Sequence, residues 1–119
     1  MDVKIIYLSS PYSSSDEKVR EDRYIRACRA AARLMINEFV VFSPIAHSHA
    51  IAIHGELNSL DHKFWLKQDL PMLKRCDALY LLCLSGWEES EGVKVEIMLA
   101  HSLNMQVKPL IEDWSSELL

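Results

Sequence analysis

The sequence predicts an α/β protein in which helices cover both faces of a mostly parallel sheet of four or five strands, a three-layer sandwich. Short and almost wholly apolar runs alternate with longer amphipathic segments along the chain, as expected for strands and helices that follow one another. Continuous apolar strands are typical of parallel sheets that are buried on both faces. The chain has 119 residues, of which 50% are hydrophobic, so we expect residues 1–119 to form a single domain with its own core.

The first half of the chain predicts two strands and one long helix. Residues 3–10 are a β-branched and aromatic run that stops at a proline, as a buried strand does. Serine and acidic residues then offer N-caps for a helix from about Asp16 to Asn37, whose apolar residues recur at helical spacing. Residues 38–44 predict the second strand, and the histidine-containing stretch 45–60 is interpreted as a long connection.

The second half predicts two helices and two strands. A helix is expected from about Asp61 toward Lys74, broken or kinked at Pro71 because proline cannot donate the helical hydrogen bond. The elements expected after it are a third strand over residues 77–84, a helix over 90–104 and a short strand over 106–111.

Composition and charge exclude several classes of protein. With 13 basic and 17 acidic residues the formal net charge is −4, which argues against a protein that tracks nucleic-acid phosphates. The three cysteines form no Cys-x-x-Cys pair, which excludes a zinc ribbon or a thioredoxin motif and favours buried, reduced thiols. No signal peptide and no apolar stretch of about 20 residues is present. We therefore expect a soluble, cytoplasmic protein that binds neither membranes nor nucleic-acid polymers.

Ligands of open parallel sheets bind beyond the carboxyl ends of the strands, where the strand order reverses. In this sequence those ends are residues 9–12, 43–49 and 85–92. Polar candidates for chemistry occur in or near all three segments.

Two carboxylates are expected to point inward from different helices. Residues three, four and seven apart share a helix face, and those positions around Glu96 and Asp69 are almost all small or apolar. A buried carboxylate must be paired, protonated or in a polar cavity. Two such groups suit glycosyl chemistry, in which one attacks the anomeric carbon and the other moves protons or orients the sugar. The structural alternative is that each carboxylate caps a loop or pairs with an arginine.

Further candidates surround these carboxylates. Ser90 and Gly92 open the Glu96 helix and offer a hydroxyl, free amides and the positive end of the helix dipole to a phosphate, although Ser90 can equally be an ordinary N-cap. Arg23 follows the first strand closely enough to reach a substrate anion. Among the histidines, loop spacing gives no metal-ligand pattern, so we expect no metal and interpret His49 as a contact to a base or phosphate at the rim of a pocket.

Several motifs in this order resemble the nucleoside 2-deoxyribosyltransferase superfamily: "YLSSPYS", "VVFSPIAHSH", the inward Asp69, "CDALYLL" and "SGWEESEGVKVE". Within it the chain looks nearest to the 2′-deoxynucleoside 5′-phosphate N-hydrolases and related small bacterial and phage proteins. The resemblance spans nearly the whole chain and implies a Rossmann-like or flavodoxin-like sandwich. It makes Glu96 the nucleophile that attacks C1′, makes Asp69 the residue that orients the sugar and assists proton transfer, and places Tyr12 against base or sugar.

One motif separates the subfamilies. The transferases resemble Asp-x-Gly-x-x-x-Glu, in which the acid holds a free 5′-hydroxyl, whereas the hydrolases resemble Ser-x-Gly-x-x-x-Glu, in which hydroxyl and amides bind a 5′-phosphate. The chain has Ser90-x-Gly92-x-x-x-Glu96, and a neutral residue removes charge repulsion against phosphate. The acidic Glu88 and Glu89 depart from a phosphate-binding pattern.

The function expected from these observations is cleavage or exchange of the base of a (2′-deoxy)nucleoside 5′-monophosphate through a covalent glycosyl-glutamate. No cofactor is expected, because protonation assists departure of the base. The resemblance also implies a homodimer or higher oligomer, for which Trp114 and the terminal leucines are interface candidates. The alternatives are a glycosidic hydrolase of another nucleotide such as NAD, and a nucleotide-binding module without catalysis.

Overall fold

The computed structural model describes residues 3–112, and it confirms the α/β class. Its elements in chain order are β1 (Ile5–Ser9), α1 (Glu17–Ile36), β2 (Val40–Phe42), α2 (Pro44–His54), α3 (His62–Lys74), β3 (Ala78–Leu82), α4 (Glu91–Ser102) and β4 (Gln106–Leu110). A single 3₁₀ turn, Trp87–Glu89, connects β3 to α4. The predicted strands and three of these helices are therefore confirmed, with ends that differ from the expected ones by a few residues.

The strands of the described residues form one sheet in the order β2-β1-β3-β4, and every pair is parallel. In the register Tyr7 lies opposite Phe42 on one side and Leu79 on the other. The chain leaves β1 toward β2 and later returns past β1 to form β3, so the direction of the connections reverses between β1 and β3. That reversal opens a crevice beyond the carboxyl ends of these two strands.

The two faces of the sheet have separate cores, as a three-layer sandwich requires. Ile6 and Leu8 of β1 pack on one face with Ala30 and Ala31 of α1. On the opposite face, Tyr7 packs with side chains of α3 and α4, including Leu73, Val93 and Ala100. Because alternate residues of a strand point to opposite faces, Ser9 shares the face of Tyr7. The end of β1 therefore presents two hydroxyl-bearing side chains to α3 and α4.

Helix α2 corrects the interpretation of residues 45–60 as a connection. Ser43 caps it, because its Oγ accepts a hydrogen bond from the Ala46 N–H at 3.1 Å, and Pro44 occupies the first turn, where proline is favourable. The prediction failed because burial in this helix does not follow the hydrophobicity of its side chains. Its buried face includes Ser48 and His49, whereas its isoleucines at 51 and 53 are exposed.

Helix α3 also differs from expectation, because it runs through Pro71 without a break. Pro71 is exposed and lies in the last turn and a half, where the missing N–H removes one hydrogen bond of a helix that is about to end. Near this end the Arg75 side chain donates a hydrogen bond of 3.1 Å to the Pro71 carbonyl.

Trp114 and the terminal leucines lie outside the described residues, so their role at an interface stays a prediction. Within residues 3–112, no helix combines the length and the apolar character that a bilayer crossing needs.

Candidate active site

Glu96 is buried in α4, with 5% of its surface exposed, and two hydroxyls from β1 hold its carboxylate. Tyr7 Oη donates to Oε2 at 2.5 Å, and Ser9 Oγ donates to Oε1 at 2.6 Å. Each oxygen thus has a donor from the neighbouring strand, which fixes the direction in which the carboxylate faces. Pairing with an arginine, the structural alternative, is not seen among the ion pairs of the described residues.

Sequence reasoning missed Tyr7 and Ser9 as partners of this carboxylate. The signal was available, since both are hydroxyl-bearing residues two positions apart in a strand that is otherwise apolar. Such a pair occupies one face of a strand, and buried hydroxyls need hydrogen-bond partners. An inward glutamate on the facing helix was the partner to look for.

One cavity brings together five of the seven site residues expected from the sequence. It lies beyond the carboxyl ends of β1 and β3, and its lining includes Tyr12, Asp69, Ser90, Gly92 and Glu96. Helix α3 contributes a whole face to the same wall, because residues 62, 65 and 66 line the cavity together with Asp69. The two inward carboxylates therefore line one solvent-accessible cavity.

Burial sets the proton affinity of both carboxyl groups. It raises the pKa of Glu96 to about 7, a rise that the hydroxyls of Ser9 and Tyr7 reduce and the negative charge of Asp69 increases. Burial raises the pKa of Asp69 to about 6, with no hydrogen bond from the described residues to offset it. Around neutral pH both protonation states of each group are therefore populated, which suits carboxyl groups that exchange protons.

Ser90 caps α4 and lies at the edge of the cavity. Its Oγ accepts a hydrogen bond from the Val93 N–H at 3.2 Å, which confirms it as the N-cap. A Cβ at Gly92 would meet only Ser90 Oγ, at 4.0 Å, so the space directly beside this glycine is open. The neighbouring Glu88 and Glu89 are exposed and are not among the residues that line the cavity.

The structure does not bring Arg23 into the cavity. Its guanidinium donates to the carbonyls of Ser13 at 2.9 Å and Ser85 at 3.0 Å, and so ties the loop after β1 to the loop after β3. Gly86 makes this possible: its φ is 90°, and a Cβ there would lie 2.6 Å from the Arg23 Nη2. Arg23 thus braces the two loops that form the cavity.

His49 also lies outside the cavity lining, directly behind Tyr12. Its Nδ1 is 2.7 Å from Tyr12 Oη, and only 7% of the residue is exposed. Sequence reasoning placed His49 at the correct end of the sheet. Because residues 45–60 were interpreted as a loop, the His49 side chain was expected to contact the ligand.

Comparisons with known proteins agree with this fold. The structure is similar to that of a 2-deoxyribosyltransferase from the psychrotolerant bacterium Bacillus psychrosaccharolyticus, with a TM-score of 0.60, 19% sequence identity, and coverage of 90% of this chain and 72% of that one. At this identity the likeness shows a shared fold. No curated protein matches the chain by sequence. A protein family described as a domain of unknown function, DUF1937, matches residues 4–112. The chain therefore belongs to the DUF1937 family and has the fold of a 2-deoxyribosyltransferase.

Proposed function

We propose that this protein cleaves or exchanges the N-glycosidic bond of a (2′-deoxy)nucleoside 5′-monophosphate. The observation that carries the proposal is the Glu96 carboxylate, which is buried, oriented by two hydroxyls and directed at the cavity that Asp69 also lines. A carboxylate held in this way is pre-organised for attack on an anomeric carbon. The fold shared with a 2-deoxyribosyltransferase supports the same class of chemistry.

The proposed reaction has two displacements at C1′. Ionised Glu96 attacks C1′ as the bond from C1′ to the base nitrogen breaks, and the electron pair of that bond leaves with the base, which takes up a proton. The product is a glycosyl ester of Glu96. Water, or the nitrogen of a second base, then attacks C1′ and gives up a proton, and Glu96 leaves as a carboxylate with net retention of configuration.

Asp69 would orient the sugar and carry protons in these steps. Its pKa of about 6 leaves a fraction of the residue protonated near neutral pH, so the same group can donate to a departing base and accept from an attacking water. Proton transfer assists the departure of the base, and the proposal therefore needs no cofactor.

The start of α4 would hold the 5′-phosphate. Ser90 lines the cavity at the helix N-terminus, and Gly92 leaves open space beside it. Backbone N–H groups of a first helical turn favour an anion. Ser90 adds a hydroxyl without adding a negative charge.

The substrate is tested by incubating the protein with ribo- and deoxyribonucleoside 5′-monophosphates, the matching free nucleosides and NAD, and measuring free base by chromatography. We expect base release from one or more monophosphates. Release of base from NAD alone would identify NAD, and not a monophosphate, as the substrate. Tight binding of a nucleotide with no release of base from any of them would identify a binding module without catalysis.

The pH dependence of kcat/KM tests which carboxyl must be ionised. Because Glu96, with a pKa of about 7, must be ionised and Asp69, with a pKa of about 6, must donate a proton, we expect kcat/KM to be highest between about pH 6 and pH 7 and to fall on both sides. Asp69→Asn removes the proton donor, so it should lower the rate and abolish the fall of kcat/KM at high pH. A fall at high pH that persists in Asp69→Asn would contradict the role of Asp69 as the acid.

A further inference from the structure

Behind the cavity wall, Glu21, His49 and Tyr12 form a row of contacts from the surface to the cavity. We propose that this row fixes the direction of the Tyr12 hydroxyl, so that Tyr12 presents a hydrogen-bond acceptor, and not a donor, to the ligand. His49 and Glu21 are then positioning residues, and Tyr12 determines specificity. The identity of the ligand rests on the proposed function, whereas the direction of the hydroxyl does not.

The His49 imidazole is held in one orientation. It stacks on the ring of Tyr24, with centroids 4.0 Å apart and planes at 23°, and it meets the ring of Tyr12 edge-on at 5.6 Å. The residue is buried in α2. Its Nδ1 therefore faces Tyr12 Oη, and its Nε2 faces the opposite direction, toward α1.

The environment of Nε2 decides where the proton of the neutral imidazole lies. Nε2 is buried, has no hydrogen-bond partner of good geometry, and lies 3.4 Å from Glu21 Oε1. A lone pair on Nε2 would face a carboxylate and be repelled, whereas an N–H is attracted to it. We conclude that the proton is on Nε2.

The state of Nδ1 follows from that of Nε2. With the proton on Nε2, Nδ1 has only a lone pair, and the hydrogen bond of 2.7 Å to Tyr12 requires the phenol to donate. The single proton of the Tyr12 hydroxyl then lies in the hydrogen bond to His49. Any ligand group that reaches this oxygen from the cavity, which Tyr12 lines, meets only its lone pairs.

This arrangement selects the kind of ligand group that Tyr12 can contact. A sugar hydroxyl or an exocyclic amino group of a base can donate to Tyr12 Oη, whereas a carbonyl or phosphate oxygen would face lone pairs and be disfavoured. The Tyr12 side of the cavity thus suits sugar or base. The phosphate is left to the start of α4.

The tautomer is measured by nitrogen NMR of the intact protein with ¹⁵N-histidine, and His49→Asn identifies the His49 signals among those of the five histidines. We expect the Nε2–H tautomer in the wild type. In Glu21→Lys, the ammonium can only donate, so a lone pair on Nε2 is favoured and the Nδ1–H population should increase. Glu17→Lys is the matched control, since it makes the same charge change one turn earlier in α1, and it should leave the tautomer unchanged.

A wild-type protein with the proton on Nδ1, or with both nitrogens protonated at neutral pH, would overturn the proposal. So would a tautomer that Glu21→Lys does not change. None of these outcomes depends on catalysis, so a failure of the proposed function would leave the measurement valid.

If base release is found, kinetics provide a second test. Tyr12→Phe removes the acceptor and should lower kcat/KM about tenfold for a substrate that donates to it. His49→Asn keeps a polar atom near the position of Nδ1 and should retain more activity than His49→Gln. In the Tyr12→Phe background, His49→Gln should cause no further loss, because both changes act through one hydroxyl. Independent, multiplicative losses would contradict the row of contacts.

Discussion

Glu96→Gln is expected to abolish base release and, at the same time, to stabilise the folded protein at neutral and alkaline pH. Glutamine keeps the shape of the side chain but has no anionic oxygen for attack on C1′, so we expect a loss of at least about a thousandfold in kcat. Free base measured by chromatography gives this first half of the result.

The stability gain follows from the pKa of Glu96, which folding raises from 4.5 to about 7. The folded state therefore holds its proton more tightly than the unfolded state. The resulting penalty on folding is absent below pH 4.5, grows between pH 4.5 and 7, and is complete above pH 7. At about 1.4 kcal/mol for each pH unit, the full penalty is on the order of 3 kcal/mol. Glutamine has no charge to bury, so it removes this penalty.

Thermal or urea unfolding at pH 5 and pH 8 measures the effect. Glu96→Gln should be stabilised more at pH 8 than at pH 5. Glu17→Gln is the control: it makes the same charge change at an exposed position on α1, outside the lining of the cavity, and it should change neither activity nor the pH dependence of stability. Equal shifts in stability at the two pH values would contradict the raised pKa of Glu96. Base release by Glu96→Gln would contradict its role as the nucleophile.

The burial of the two carboxylates can be predicted from the sequence because the periodicity of a helix is fixed. Once α3 and α4 are recognised, positions three, four and seven residues apart define a face, and Asp69 and Glu96 fall on apolar ones. The strands are predictable for a similar reason, since β3 is apolar at every position and is buried throughout.

The failures occur where local pattern and burial disagree. Helix α2 buries Ser48 and His49 and exposes Ile51 and Ile53, and no periodicity of apolar residues reveals such a helix. The roles of Arg23 and His49 depend on contacts with residues far away in sequence, such as the carbonyl of Ser85. Such contacts are set by the packing of whole elements and cannot be read from spacing along the chain.

The second large effect expected is a change of substrate in Ser90→Asp, from nucleoside 5′-monophosphate toward the free nucleoside. Aspartate is as good an N-cap as serine, so the hydrogen bond that Ser90 receives from the Val93 N–H can be kept and α4 should still form. The new carboxylate would face the position proposed for the phosphate. Repulsion between like charges in a cavity costs several kcal/mol, and we expect kcat/KM for the monophosphate to fall about a hundredfold or more.

In the same variant, kcat/KM for the free nucleoside should rise, because its 5′-hydroxyl can donate a hydrogen bond to the new carboxylate. The measurement is the ratio of kcat/KM for a deoxynucleoside 5′-monophosphate to that for the matching deoxynucleoside, in wild type, Ser90→Asp and Ser90→Ala. Ser90→Ala loses the cap, at about 1 kcal/mol of stability, and should weaken the reaction without favouring the nucleoside. If Ser90→Asp lowers both activities in parallel, Ser90 does not contact the 5′ substituent. If only the monophosphate activity falls, the start of α4 is the phosphate site, and Ser90 is the residue that selects a nucleotide over a nucleoside.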